Sequence, residues 1–396
     1  MFIAILASII SLGVLILVHE LGHFIFCKLF GIKVDEFCIG YPPRICGVYK
    51  ERGRWKFFFG KLPEEIHSES TIYSLNWIPF GGLNRIEEGG DESVGNQSVS
   101  TGFFSKPWWQ RAIVAAGGVI FNIILAFVLL SCAFSIGSYQ DVDAVRSSNA
   151  HIRDVNLTII YVQQDSPAQK AGLKLGDIVS RINNIDAVSS SVKQAQDVIG
   201  NSQGKINLEV IRHKQLLKFE LETKTSDKVF GASGTEQENK KSVIGVALAR
   251  IGKISFPWYS AIWHGFLKTF QMFGSIFYGL YLIVKNLITE HRMIGEFVGV
   301  IGLAAITTEA ARIGFDYLIQ FVAFLSLAIA ATQLIPIPAI DGGKILVYIL
   351  EGIRQKPINR KLEGYVDYIG FWILIGLMAI LTYKDIFKLI KGVIRQ

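Results

Sequence analysis

The chain has 396 residues, of which 51% are hydrophobic and only 18% are charged, and its mean hydropathy is +0.38. This composition is too apolar for an ordinary soluble protein and predicts a membrane protein. The net charge of +7 does not indicate nucleic-acid binding, because lysines and arginines beside cytoplasmic membrane boundaries give the same excess and no basic motif is found. The four cysteines form no CxxC pair, so neither a disulfide framework nor a cysteine zinc site is indicated.

Long apolar runs predict a polytopic α-helical membrane protein with about four transmembrane helices. We assign the helices to residues 1–29, 112–139, 316–343 and 367–396. Residues 254–315 are apolar and aromatic but carry charges, so an interfacial or re-entrant segment is expected there, although a crossing helix would have a similar composition. Residues 344–366 are assigned to a cytoplasmic loop, because basic side chains outnumber acidic ones.

Two polar regions separate these runs. Residues 30–111 contain short apolar stretches such as WKFFFG among glycines, which predict membrane-associated β-hairpins on the cytoplasmic side. Residues 140–253 contain alternating stretches such as LTIIYVQ and INLEVIRH, which predict a mostly β domain. Within it, SPAQKAGLKLGDIVSRINN resembles the core of a PDZ domain. One extracytoplasmic PDZ-like α+β domain is therefore expected, and a β domain that only spaces two membrane segments is the alternative.

The stretch LVHELGHF, residues 17–24, places two histidines and a glutamate inside the first predicted span. Residues four apart lie on one face of a helix, so His19 and His23 can bind one metal ion while Glu20 projects towards a metal-bound water. HExxH is the arrangement of zinc metallopeptidases, and polar groups in hydrocarbon are costly unless they have a function. The alternative is that these residues only join helices through hydrogen bonds.

A catalytic zinc site usually has three protein ligands, so a third should lie on another span. TQLIPIPAIDGG, residues 332–343, supplies Asp341 behind two prolines that break the helix. Taken alone, the Asp-Gly-Gly sequence could be a plain turn, but its pairing with HELGH favours a ligand. Zinc is the expected metal, although iron or cobalt would suit two histidines and a carboxylate nearly as well.

Together, HELGH in the first span and PIPAIDGG in the third resemble the bacterial site-2 proteases, the PDZ-containing intramembrane zinc metalloproteases of peptidase family M50. WIPFGGLNR resembles the Pro-x-Gly-Gly hairpin of that family, and FFSKPWWQRAIVAAGGVIFNIILA resembles the start of its second span. The resemblance implies one Zn²⁺ ion held by His19, His23 and Asp341, with Glu20 as the catalytic base. It also implies substrate-binding roles for Gln333, Gly81 and Gly82.

Three positions depart from the family pattern. Gln333 stands where the family generally has asparagine, Gly118 stands where it has proline, and Lys344 follows the double glycine. None of these departures removes a metal ligand or the base. The longer side chain of Gln333 is expected to change how its amide binds a substrate strand.

The resemblance implies an intramembrane zinc metalloendopeptidase that cleaves transmembrane segments of single-span membrane proteins, with anti-sigma factors and remnant signal peptides as two open substrate classes. It implies the bacterial inner membrane, with the active site towards the cytoplasmic side. Expected partners are the lipid bilayer and peptide C-termini at the PDZ-like domain, and no nucleic acid. A protein that presents membrane helices without cutting them, and a transporter, remain alternatives.

Topology adds one constraint. For Asp341 to meet the histidines, the third span must run inward, as the first span does. The segment from Trp258 to Ile288 must then not cross the membrane, because an extra crossing would deliver Asp341 to the opposite face.

Overall fold

The structure is a computed structural model. It describes residues 2–61, 70–87, 102–145, 149–163, 166–187, 191–202, 204–212, 215–226, 229–230, 236–237, 241–289, 299–356 and 358–394. The chain divides into two compact units, one formed by Met1–Ser131 with His264–Gln396 and the other by Cys132–Trp263.

The described residues form both α-helices and β-strands. The helices are α1 (Phe2–Leu29), α2 (Trp108–Ile136), α3 (Pro167–Ala171), α4 (Val192–Asn201), α5 (Trp258–Thr289), α6 (Val300–Ile313), α7 (Phe315–Gln333), α8 (Asp341–Arg354) and α9 (Arg360–Ile394). The strands are β1 (Val34–Glu51), β2 (Arg54–Phe59), β3 (Ile72–Ile86), β4 (Ser138–Asp141), β5 (His151–Val162), β6 (Ile178–Ile182), β7 (Ile185–Asp186), β8 (Lys205–Arg212), β9 (Gln215–Glu222), β10 (Lys224–Ser226), β11 (Val229–Phe230), β12 (Glu236–Gln237), β13 (Lys241–Val243) and β14 (Val246–Ser255).

Five helices of the described chain are long and apolar enough to cross a membrane. These segments are Leu6–Leu29, Trp108–Ile136, Trp258–Asn286, Phe315–Gln333 and Lys361–Phe387. Such a set makes the chain a multi-pass membrane protein. The predicted number of four is one lower, because it leaves out Trp258–Asn286. That segment lies in helix α5, and its interfacial or re-entrant placement stays a prediction.

The third predicted span, residues 316–343, consists of two elements. Helix α7 ends at Gln333 and α8 begins at Asp341, because Pro336 and Pro338 lack the N–H groups that a continuous helix requires. The predicted loop, residues 344–366, is also largely helical.

Packing explains why part of the predicted loop is the helix α8. Tyr348 and Glu351 lie on its buried face, and Glu351 accepts a hydrogen bond from Arg111 of α2 at 2.5 Å. Tertiary contacts on one face stabilise a short helix more than intrinsic propensity does.

A three-stranded antiparallel sheet with the order β2-β1-β3 occupies the predicted hairpin region of the first unit. Strand β1 is 18 residues long and pairs with both halves of β3, from Val34 opposite Ile86 to Val48 opposite Tyr73, with several register shifts. These shifts bend β1 and let β3 fold back alongside α1. Helices α1, α2 and α7 pack through apolar clusters that include Leu15, Leu130 and Leu327.

The second unit is an α+β domain. Its main sheet has the order β4-β14-β5-β6-β8-β9, with β7 paired to β6, and all pairs are antiparallel. Ser166 caps α3, and a capping box of Ser191 and Gln194 begins α4. Alternate residues of β5 and β8, including Leu157 and Ile206, are fully buried in the core, as expected for strands with one face towards helices.

Candidate metal centre

The two histidines of HELGH and one aspartate converge at a single point. On α1, the Nε2 atoms of His19 and His23 lie 3.2 Å apart. From the first residue of α8, Asp341 Oδ2 lies 3.0 Å from His19 Nε2 and 3.3 Å from His23 Nε2. Ligands held about 2.0–2.1 Å from a tetrahedral zinc ion are about 3.3 Å apart. The three atoms therefore have the spacing of a zinc ligand set.

Hydrogen bonds at the far side of each ring fit this assignment. His23 Nδ1 lies 2.8 Å from the carbonyl oxygen of Val114, so Nδ1 carries the proton and Nε2 presents its lone pair. The amide of Asn122 lies 3.2 Å from His19 Nδ1, and its buried Oδ1 has no partner among the described residues. Rotating that amide by half a turn lets Oδ1 accept the Nδ1 proton of His19. Both rings then present a bare Nε2 to a metal.

Glycines let α2 approach the histidine helix closely. A Cβ atom at Gly22 would overlap the backbone of Gly117, and one at Gly118 would lie 2.5 Å from His19 Nε2. The departure at Gly118 therefore places a glycine directly against the imidazole of His19. No larger side chain fits there unless the ring moves.

Strand β3 passes beside the glutamate of HELGH. The Asn84 amide donates hydrogen bonds to Oε2 and to the backbone oxygen of Glu20, both at 2.8 Å. A Cβ atom at Gly82 would lie 2.5 Å from Glu20 Cγ, and Gly81 precedes it in the same strand. Glu20 is thus held between its own helix and the strand.

Asn84 is a site residue that sequence reasoning missed. Its position gives a signal, because Gly82 and Asn84 are two apart in a strand and so point to the same side. That signal becomes readable only once β3 is known to lie along α1.

Gln333 lies against the aspartate of the site. Its Oε1 faces the backbone N–H of Asp341 at 3.4 Å, across the connection between α7 and α8. Gly342 and Gly343 touch the carbonyl groups of Ile335 and Ile337 so closely that a Cβ atom would not fit. The connection therefore folds tightly onto the first turn of α8. The expected contact between Gln333 and a substrate stays a prediction.

A cavity of about 1050 Å³ opens onto this centre. Residues from α1, α2, β3, α7, α8 and α9 line it. Besides the histidines and Asp341, the polar lining includes Glu20, Asn84, Gln333, Lys344, Glu363 and Asp367. The space is sufficient for an extended peptide segment beside His19, His23 and Asp341.

Two histidines lie four residues apart on one helix, a glutamate follows the first of them, and a third candidate ligand comes from another element. This arrangement defines a metallopeptidase. The membrane-length helices around it make the class a membrane metalloprotease. The chain matches the profile of peptidase family M50 over residues 7–377, and it belongs to that family. It is a metalloprotease of the site-2 type.

Relatives match over nearly their full lengths. A protein of Clostridium acetobutylicum that is named as a zinc metalloprotease is 30% identical, over 97% of this chain and 98% of its own. The regulator of sigma-W protease RasP of Bacillus subtilis is 26% identical, over 97% of this chain and 98% of its own. A PDZ domain of an SdrC-like protein from Listeria monocytogenes is 17% identical over 24% of this chain and 86% of that domain, with a TM-score of 0.18.

Proposed function

We propose that this protein is an intramembrane zinc metalloendopeptidase that cuts the transmembrane segment of single-span membrane proteins. One observation carries the proposal: Asp341 Oδ2 lies within 3.3 Å of both histidine Nε2 atoms, and Glu20 lines the same cavity. His19, His23 and Asp341 would hold the ion. Family membership and the zinc metalloprotease names of the relatives support the choice of zinc.

Zinc bound there would supply Lewis-acid chemistry, polarising the scissile carbonyl and lowering the pKa of a water molecule. The carboxylate of Glu20 accepts a proton from the attacking water and later delivers it to the leaving amine. Asn84 keeps one carboxylate oxygen engaged, so the other is directed towards the cavity. Asn122 and the Val114 carbonyl keep the imidazoles in the tautomer that a metal ligand needs.

A substrate helix hides its carbonyl groups in intrahelical hydrogen bonds and must be unwound before attack. Strand β3 offers a route, because an extended substrate can add to a sheet edge beside Glu20. Gly81 and Gly82 would let a substrate backbone approach, and Gln333 would contact it from the other side of the cavity.

The B. subtilis relative is named for sigma-W, so a protein that regulates a sigma factor is one substrate class, and a remnant signal peptide is the other. We place the protein in the bacterial inner membrane, with the metal centre towards the cytoplasm and the PDZ-like domain outside. Peptide C-termini are the proposed ligands of that domain.

The test is cleavage of a panel of single-span substrates in detergent by the wild type, Glu20→Gln and Asp341→Ala, with zinc measured in each. We expect cleavage by the wild type alone, about one zinc ion in the wild type and in Glu20→Gln, and loss of zinc in Asp341→Ala. Zinc without cleavage by the wild type would favour a protein that presents helices without cutting them. Zinc retained by Asp341→Ala would reject the ligand set.

A further inference from the structure

Helix α9 contacts the connection between α7 and α8, which leads directly into Asp341. One carboxylate oxygen of Asp367 accepts a hydrogen bond from the backbone N–H of Ala339 at 3.0 Å. One turn further along α9, a Cβ atom at the buried Gly370 would lie 2.9 Å from the carbonyl oxygen of Pro338. Two successive residues of the connection therefore rest directly on α9, and the second of them lies two residues before Asp341.

The backbone conformation of Ala339 is unfavourable unless neighbouring contacts stabilise it. Ala339 has a φ of +69°, in the left-handed region that favours glycine and that an alanine rarely adopts. Such conformations persist where surrounding contacts hold them, and they cluster at functional sites. Asp367 supplies such a contact, and it does so at the residue whose backbone direction sets where α8 begins.

We propose that Asp367 is a positioning residue for the metal ligand Asp341, and this inference rests on the proposed metal centre. Its oxygen holds Ala339 in the left-handed conformation, which directs the first residue of α8 towards His19 and His23. Asp367 acts as a hydrogen-bond acceptor. A contrasting role is that of a cavity acid, since Asp367 also lines the cavity and could act through its charge.

Asparagine separates the two roles, because Asp367→Asn keeps the accepting oxygen and removes the charge, whereas Asp367→Ala removes both. The measurement is the zinc dissociation constant of the detergent-solubilised full chain, by competition with a chelator, together with the visible spectrum of the Co²⁺ form, which reports ligand geometry. Glu363→Ala is the matched control, because it removes another α9 carboxylate from the same cavity wall.

We expect Asp367→Ala to bind zinc about tenfold more weakly and to change the Co²⁺ spectrum, as loss of outer partners of metal ligands does. Asp367→Asn should stay within about twofold of the wild type and keep its spectrum, and Glu363→Ala should do the same. Equal weakening by Asp367→Asn and Asp367→Ala would overturn the proposal in favour of a charge effect. Wild-type affinity in Asp367→Ala would also overturn it.

Gly370→Ala tests the same contact while leaving Asp367 in place. The added methyl group would press on the Pro338 carbonyl and displace the connection, so zinc binding should again weaken about tenfold. Thermal unfolding of each variant shows whether it is folded. If Asp341→Ala keeps wild-type zinc affinity, the proposed function itself fails. If Asp341→Ala loses zinc while Asp367→Ala and Gly370→Ala keep it, only this inference fails.

Discussion

Asn84 binds Glu20 through one amide nitrogen, which donates to the carboxylate and to the backbone oxygen of the same residue, each at 2.8 Å. Both acceptors belong to Glu20, so this amide orientation is unambiguous: the opposite one would set an oxygen against two oxygens. The contact fixes the side chain relative to its own helix and ties β3 to α1.

The first prediction concerns this contact. Asn84→Ala should lower kcat about tenfold, the value of one hydrogen bond to a charged group, because Glu20 becomes free to rotate. KM and zinc content should change little. Steady-state kinetics on a cleaved model substrate, with metal analysis, measures this. An unchanged kcat would mean that Asn84 does not orient the base.

Asn76→Ala is the matched control for this variant. Asn76 is a buried asparagine of the same strand, and its amide donates to the Gly40 carbonyl oxygen, away from Glu20. Its loss should lower thermal stability, because a buried acceptor is left unpaired, while kcat of the folded protein stays near the wild-type value.

The second prediction concerns Gly118 on α2. Gly118→Ala should weaken zinc binding at least about tenfold, because the new methyl group would displace the His19 imidazole that it overlaps. Gly13→Ala on α1 is the control, since a Cβ atom there has no neighbour within 4 Å. Chelator competition on both proteins gives the answer. Equal zinc affinity in the two variants would show that α2 yields to the added methyl group.

The sequence alone identifies those site residues that are close together along the chain. The i, i+4 spacing puts His19 and His23 on one helix face in any helix, so their proximity needs no tertiary information. Its pairing with HELGH points to Asp341, and the structure brings the Asp341 carboxylate beside both rings. Asn84 and Asp367 could not be found in this way, because each contact depends on how a strand or a helix packs against a distant segment.

The same distinction applies to the fold: features set by local sequence are predictable, and features set by tertiary packing are not. Hydropathy identifies apolar segments, so the multi-pass class was predictable. Hydropathy does not show which segments cross, and the predicted count of four does not include α5. The charges of residues 344–366 predict a cytoplasmic side and give no secondary structure, whereas packing of Tyr348 and Glu351 makes α8 a helix.

The third prediction concerns the second unit, Cys132–Trp263. Asp177 is 1% exposed and accepts hydrogen bonds from Arg212 Nε at 2.6 Å and from its Nη2 at 2.7 Å. Arg212→Ala should destabilise this domain by about 3 kcal/mol, because the buried carboxylate loses its cationic partner and keeps the hydrogen bond from the Lys174 backbone N–H. Hydrogen exchange of β6 and β8 in the full chain measures the loss. Exchange at the wild-type rate would mean that water replaces the guanidinium at no cost.

Lys218→Ala provides the comparison within the same sheet. The Lys218–Glu209 pair is as short, at 2.7 Å, but the lysine side chain is 73% exposed. An exposed ion pair is screened by solvent and contributes about 1 kcal/mol or less. Exchange in this variant should therefore match the wild type.

The last prediction is a pH dependence in the three-stranded sheet. Burial alone would raise the pKa of Glu36, but hydrogen bonds from Arg44 and Ser74 hold this pKa below its ordinary value. A depressed pKa stabilises the fold at pH values above the unfolded-state pKa, and the stabilisation is lost as the pH falls through the folded-state pKa. Glu36→Gln should therefore unfold at lower temperature than the wild type at pH 7, and this difference in unfolding temperature should close towards pH 3.

Thermal scans in detergent from pH 7 to 3 measure this difference, the gap between variant and wild type. Glu51→Gln is the control, because Glu51 pairs with Lys56 on the sheet surface and its variant should show a small gap at every pH. A gap for Glu36→Gln that stays constant to pH 3 would show that the lost contact, and not the charge of Glu36, sets the stability.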